Sequence, residues 1–291
     1  NMFNNCTSLT VINIPAIYID VSLAGKLDMT NMFNNCNSLT TVNSFHFYIK
    51  SAKIGNLDIT NMFSGCISLR TANFSNIYAN TNTKGYIHMN NAFKDCISLN
   101  KLYFFDIKVI SQTGDGFLYM EKMFSNCTSL RTVNFYDINV ITMTTNGYLY
   151  MNNMFSNCTS LNTVNFYDIN VNATKLGYLH MNNMFSNCNS LSTVNFSDSY
   201  VNSNTYGYLY MENMFSNCIS LITVKFIDIN FIPDYHYGYI TMNNMFNNCI
   251  SLNQTNFFDI HISGNNNGEL YMKNMFNNCT SLTVINIPAI Y

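Results

Sequence analysis

The stretch GYLYMNNMFSNCTSLNTVNFYDINVNATKL, Gly147 to Leu176, decides the fold. Two parts of it alternate with period two. In GYLYM, Leu149 and Met151 share one face and Tyr148 and Tyr150 the other. In LNTVNF, Val164 and Phe166 face one way and Asn165 the other. Alternation of this kind predicts half-buried strands. The link NNMFSNCTSL carries spaced apolar residues without it, and reads as a helical turn or short irregular arc. The stretch NVNATK, Asn170 to Lys175, varies in content and length between units and reads as a surface loop. Little helix is expected.

The same phrase recurs along the whole chain. The ten cysteines, Cys6, Cys36, Cys66, Cys96, Cys127, Cys158, Cys188, Cys218, Cys249 and Cys279, are each 30 or 31 residues apart. Each sits in MFxxCxSL, with only Ala92 breaking the Met column, and nine of the twelve glycines open the preceding segment as Gly147 does. One such unit cannot bury its own apolar face, but stacked units can, with the same residue type repeating along the axis. The fold class expected is a β-rich solenoid of about ten coils with parallel sheets. Inside it run ladders of Phe (Phe93, Phe124, Phe155, Phe185), Leu (Leu99, Leu130, Leu161, Leu191) and Cys. At about 4.8 Å per strand, ten coils stand roughly 50 Å tall.

The phrase FNNCTSLTVINIP, Phe3 to Pro15, resembles the BspA-type leucine-rich repeat of microbial surface proteins, and YMNNMFSNCTSL, Tyr150 to Leu161, resembles a related repeat of mycoplasma surface lipoproteins. LxxVxFxxI at Leu130, Val133, Phe135 and Ile138 matches the general leucine-rich core. The resemblance covers nearly all of the chain. It implies a leucine-rich-type solenoid and, by analogy, a surface-exposed or secreted adhesion or interaction protein. The unit is longer than the usual twenty-odd residues and its GYLYM strand is more aromatic.

Composition removes several classes. Charged residues are 10% of the 291 and net charge is -2, so the basic stripe a nucleic-acid groove needs is missing. No apolar run approaches the roughly 18 residues of a membrane helix. The chain does not begin with Met, so a missing leader says nothing. The five His, at 46, 88, 180, 236 and 261, recur in no shared Ser or Asp context, and no phosphate-binding glycine loop or nucleophile elbow is present. An enzyme is the least favoured reading, and no cofactor is expected.

Three columns could carry chemistry. The cysteines read best as buried, reduced core thiols, since in-register neighbours point side by side and no CxxC pair exists to start a zinc site. Asp106, Asp137, Asp168, Asp198, Asp228 and Asp259 form a second column. Like charges about 5 Å apart repel by roughly 0.8 kcal/mol in water, which a wet ladder tolerates. The favoured reading is carboxylates accepting backbone N–H bonds at a strand-to-loop turn. The other is a calcium column, for which one carboxylate per coil supplies too few oxygens. The third column is aromatic. Tyr86, Phe117, Tyr148, Tyr178, Tyr208 and Tyr239 form one outward file, and Tyr119, Tyr150, Tyr210 and Tyr271 another, with His88 and His180 as stacked spacers. Such a stripe is either a contact surface or covered by the chain itself. An outward Asn column (Asn43, Asn73, Asn134, Asn165, Asn195, Asn256, Asn286) reads as amides bonded coil to coil.

NMFNNCTSLTVINIPAIY occurs twice, as Asn1 to Tyr18 and as Asn274 to Tyr291. A nine-coil repeat of 273 residues laid over the short one explains this, as does an overlapping window on a periodic assembly, or a recent duplication. The expectation is a single continuous array over 1–291, cut within a repeat at both ends and part of a longer array. The terminal units are ordinary ones, without the polar caps a free solenoid needs. The function expected is an extracellular or cell-surface structural protein that stacks end to end on itself. The rival is a monomeric adhesin that grips a host protein or glycan through the aromatic face.

Overall fold

The alternating segments are strands, and they pair only with their own counterparts one coil away. A computed structural model describes residues 2–227, 230–233, 237–256 and 267–286. In the central coil a strand Thr163–Ala173 is followed by a two-residue turn and a second strand, Leu176–His180. An arc of turns from Met181 then leads to the next coil. The path of the long sheet carries ten strands in chain order, and the second sheet carries nine. Pairing is parallel and matches residue to residue: Val133 with Val164 and Val194, Phe135 with Phe166 and Phe196, Tyr148 with Tyr178. The described residues contain no helix. This is a parallel β-solenoid.

The long strand corrects the loop reading of Asn170 to Lys175. Asn170 to Ala173 is strand, with Val171 and Ala173 buried, and only Thr174 and Lys175 turn. The reason lies at Asp168, which has φ 57°. Val164 and Phe166 point inward before it; Ile169, Val171 and Ala173 point inward after it. One residue in the left-handed region shifts the alternation by one, so both halves face one core. Asp106, Asp137 and Asp198 do the same at φ 61°, 58° and 53°, and Asn76 does it at 55°. Short polar side chains tolerate this conformation; most others do not.

The arc needs two more such residues in each coil, as at Asn153 and Asn157 in the arc before the central coil, at φ 56° and 61°. Its backbone then bonds to the next coil, Phe155 N–H to Met184 O at 2.8 Å and Asn157 N–H to Ser186 O at 2.9 Å. Glycine has a separate task at Gly147. A Cβ there would lie 3.1 Å from Val171 Cγ1, so any side chain at this position would have to push the valine column back by a few tenths of an ångström.

The core follows from the stacking. Ten Phe rings from Phe3 to Phe276 form an unbroken pile, centroids 5.3–5.5 Å apart and planes within 13°. A second file, with Phe135 and Phe166, meets it edge-on, as between Phe135 and Phe155 at 5.6 Å and 74°. Both arrangements are favourable for aromatic quadrupoles. The cysteines are all free, eight of them buried, with Cys6 and Cys279 half-buried. Each thiol from Cys36 onward donates to the Phe carbonyl of the coil before, at 3.0–3.2 Å. The sulfur therefore both fills the core and holds register, as a weak donor can. Burial pushes the Cys66, Cys158 and Cys218 thiols up to about 12. Thiolate is the reactive form. At pH 8 a thiol reagent is expected to label no more than Cys6 and Cys279 quickly, and all ten after denaturation; ten fast thiols in the folded chain would contradict the burial.

Candidate functional site

The Gly-Tyr-Leu-Tyr strands build the candidate face. Leu149 and Met151 go to the core, so Tyr148 and Tyr150 go out, and parallel register puts each ring on its equivalent. In the first file Tyr86, Phe117, Tyr148, Tyr178 and Tyr208 stack with centroids 4.4–4.9 Å apart and planes within 9°. Tyr239 continues it tilted, 6.2 Å from Tyr208. In the second file His88, Tyr119, Tyr150, His180 and Tyr210 stack at 4.4–4.9 Å. Tyr271 meets Tyr239 at 5.4 Å. The files run side by side, Tyr148 and Tyr150 being 6.1 Å apart with planes 1° from parallel.

The covering of this stripe by the chain's own side chains is what the structure shows. The rings point out, yet the stacked ones are only half-exposed, because each face is covered by the next ring. What solvent meets is a double row of ring edges and hydroxyls. Burial, then the neighbouring phenols Tyr119 and Tyr148, push Tyr150 up to about 12. Burial raises Tyr119, Tyr148 and Tyr210 as well.

His180 lies between Tyr150 and Tyr210, 4.6 and 4.4 Å away, and burial lowers its pKa from 6.5 to about 4. The neutral ring is thus favoured in the fold, and the unfolded chain holds the extra proton between pH 6.5 and 4. His180's share of stability is present above 6.5 and lost as pH falls through that window. The melting temperature of His180→Tyr is expected to depend less on pH from 6.5 to 4 than that of the parent; equal slopes would contradict it.

At Asp106, Asp137, Asp168 and Asp198 the column turns the strand at a left-handed corner, and among the described residues the groups that meet Asp106 and Asp137 are side chains, where the turn expectation places backbone N–H groups. Side chains meet these carboxylates. The Tyr78 hydroxyl donates to Asp106, Lys108 Nζ lies 2.8 Å from Asp106 and 3.7 Å from Asp137, and Asn139 Nδ2 donates to Asp137 at 3.3 Å. Slight burial, then the Asp137 and Asp198 carboxylates, raise the Asp168 pKa. Among the described residues no three His, Cys, Asp or Glu side chains gather as a metal site would require. Asp228, Asp259, His236 and His261 lie outside the described residues.

The outward amides bond as expected: Asn43 to Asn13 at 2.8 Å, Asn165 to Asn134 at 2.8 Å, Asn195 to Asn165 at 2.6 Å. The side chains of Asn256 and Asn286 are outside the described set. Sequence reasoning missed a second amide ladder on the arc, running from Asp95 through Asn126, Asn157, Asn187, Asn217 and Asn248 to Asn278 at 2.6–3.1 Å per step. Its signal was Gly65, which stands in this column at φ 73°. Beside it an open groove of about 440 Å³ is lined by Asn90, Glu121, Lys122, Asn152 and their neighbours, whose amides are used between coils.

Leu130, Val133, Phe135 and Ile138, the LxxVxFxxI set, are all buried. The coil is built on a leucine-rich-type pattern. The chain matches no protein-family model and no curated protein. It is similar to the solved structure of a leucine-rich repeat protein from Bacteroides ovatus, at 17% identity, over 99% of this chain and 70% of that one, with a TM-score of 0.44. It is also similar to a leucine rich cell surface protein from Faecalibacterium prausnitzii, at 16% identity, over 94% and 82%, with a TM-score of 0.23. The fold assignment rests on the chain's own strands and ladders.

Proposed function

We propose that the chain is a structural repeat protein of the cell surface or extracellular space, a rod whose coils stack on those of other copies. One observation carries this reading: the coil-to-coil step is chemically the same throughout. Phe rings stack at 5.3–5.5 Å from Phe3 to Phe276, and thiols donate to the preceding Phe carbonyl. Along the arc ladder amides donate head to tail, each from the later coil to the earlier one. A surface made to receive its own translated copy is heterologous, and such contacts propagate instead of closing into dimers. The residues NMFNNCTSLTVIN occur at both 1–13 and 274–286, so the same coil-joining chemistry recurs nine coils further along. The location follows from the resemblance to surface repeats. The reading is non-catalytic.

Sedimentation velocity and electron microscopy across the micromolar range test it. Rods that lengthen with concentration are expected; short particles of one length at every concentration would overturn the reading. The half-exposed aromatic files favour a second reading, an adhesin for a host protein or glycan. Because ring faces are taken by stacking, edges and hydroxyls do the contacting, which suits a protein surface better than a sugar ring laid on an open aromatic face. Under that reading, joint replacement of Tyr148, Tyr178 and Tyr208 by Ser abolishes binding and leaves the strand signal intact.

A further inference from the structure

We propose that the phenol ladder is a site of oxidative coupling, at which dityrosine bonds join tyrosines of successive coils. The inference stands whether or not rods associate. Four contacts qualify: Tyr148–Tyr178 at 4.7 Å, Tyr178–Tyr208 at 4.4 Å, Tyr119–Tyr150 at 4.9 Å and, on the long sheet, Tyr136–Tyr167 at 4.9 Å. Their planes lie within 9° of parallel. In each pair both rings occupy the same strand position on adjacent strands, so their ortho carbons face the same way, one ring spacing apart. Tyr136 is exposed and the other rings are partly exposed, so their edges are within reach of a diffusible oxidant.

Two common competitors for a one-electron oxidant are scarce. The chain has no Trp, and eight of the ten thiols are buried with their protons held on. The ladder also carries its own breaks. Phe117 separates Tyr86 from Tyr148, and His180 separates Tyr150 from Tyr210. Neither can form a phenoxyl radical, so coupling is confined to short runs.

The chemistry balances with a peroxide as terminal oxidant. Each phenol gives up one electron and its hydroxyl proton. The two phenoxyl radicals join carbon to carbon, ortho to oxygen, and the two displaced ortho hydrogens move to the oxygens to restore both phenols. Hydrogen peroxide takes the two electrons and two protons, its O–O bond breaks, and two waters leave. The product is two hydrogens lighter than the chain.

Dilute protein treated with a small haem peptide and hydrogen peroxide tests this, read by dityrosine fluorescence and by peptide mapping. The expected links fall within one chain at the four contacts, no more than three at once because a Tyr178 ring drawn to bonding distance of one neighbour is drawn away from the other. Tyr178→Phe keeps the stack and is expected to lower the maximum from three links to two. Phe117→Tyr lengthens the first run to five phenols and is expected to raise it to four. Far-ultraviolet circular dichroism checks that both variants keep their strands. Links that map mainly to tyrosines not stacked in the ladder, or mainly between chains, or a yield indifferent to both substitutions, would overturn the proposal.

Discussion

Replacing Phe155 by Ala is expected to cost about 3–5 kcal/mol and to split one melting transition into two. The ring is fully buried, stacked at 5.5 Å on both Phe124 and Phe185, and met edge-on by Phe135 at 5.6 Å. Truncation leaves a cavity shared by three coils, lined by rings fixed by their own neighbours, so collapse into it is limited. A solenoid's stability is a sum of coil terms and nearest-neighbour terms. Phe155 stands near the middle of the array, and weakening both of its interfaces lets the two flanks melt separately. The first transition should fall by about 10 °C, taking 2–4 °C per kcal/mol for a chain of this size class. Phe155→Leu keeps most of the apolar volume and loses the stacking, so it should cost less, the stack itself being worth about 0.5–1.5 kcal/mol. Calorimetry decides. A single sharp transition for Phe155→Ala, as high as the parent's, would mean that the Phe pile does not couple the coils.

The period and the inward set were readable because they are redundant. Cys158, Phe155 and Leu161 each recur in all ten units, and a mistaken assignment of one would be corrected by the others. The corner at Asp168 was not readable, because a phase shift of one residue looks the same as the end of a strand. Only the burial of Ile169 and Val171 separates the two. The aromatic face was visible as outward, whereas its self-covering was not: alternation gives the direction of Tyr148, and only register places Tyr178 on top of it. From sequence the asparagines are legible as one outward ladder. The greater demand comes from the arc, where left-handed φ values fall on Asn in most coils and on Gly65, Asp95 or Lys122 in others. That mixture of residue types within each of the two columns is the mark of a backbone requirement.

A substitution series at Asn157 isolates that requirement. The residue has φ 61°, its side chain is exposed, its Nδ2 donates to Asn126 at 3.1 Å and its Oδ1 accepts from Asn187 at 3.0 Å. Asn157→Gly keeps the conformation and loses both amide bonds, for an expected cost of about 1 kcal/mol. Asn157→Val loses the same bonds and also forces a β-branched residue into the left-handed region, which adds about 1–3 kcal/mol of strain. No buried surface changes in either, so the difference between them measures the backbone alone. The strain also has a structural consequence, because Asn157 N–H must reach Ser186 O at 2.9 Å and a relaxed φ would break that bond between coils. Gly65→Asn is the converse experiment. Asn stands at φ 56–63° at this offset in other coils and supplies the amide missing between Asn35 and Asp95, which offsets the strain of a Cβ at φ 73°, so the change is expected to leave stability within about 0.5 kcal/mol of the parent. A new Cβ there crowds Asn35 Oδ1, the mobile tip of a side chain that can swing into the ladder. Thermal melts of the three variants order them Gly65→Asn, Asn157→Gly, Asn157→Val from highest to lowest. If Asn157→Gly and Asn157→Val lose equally, the amide bonds and not the left-handed backbone explain the asparagines.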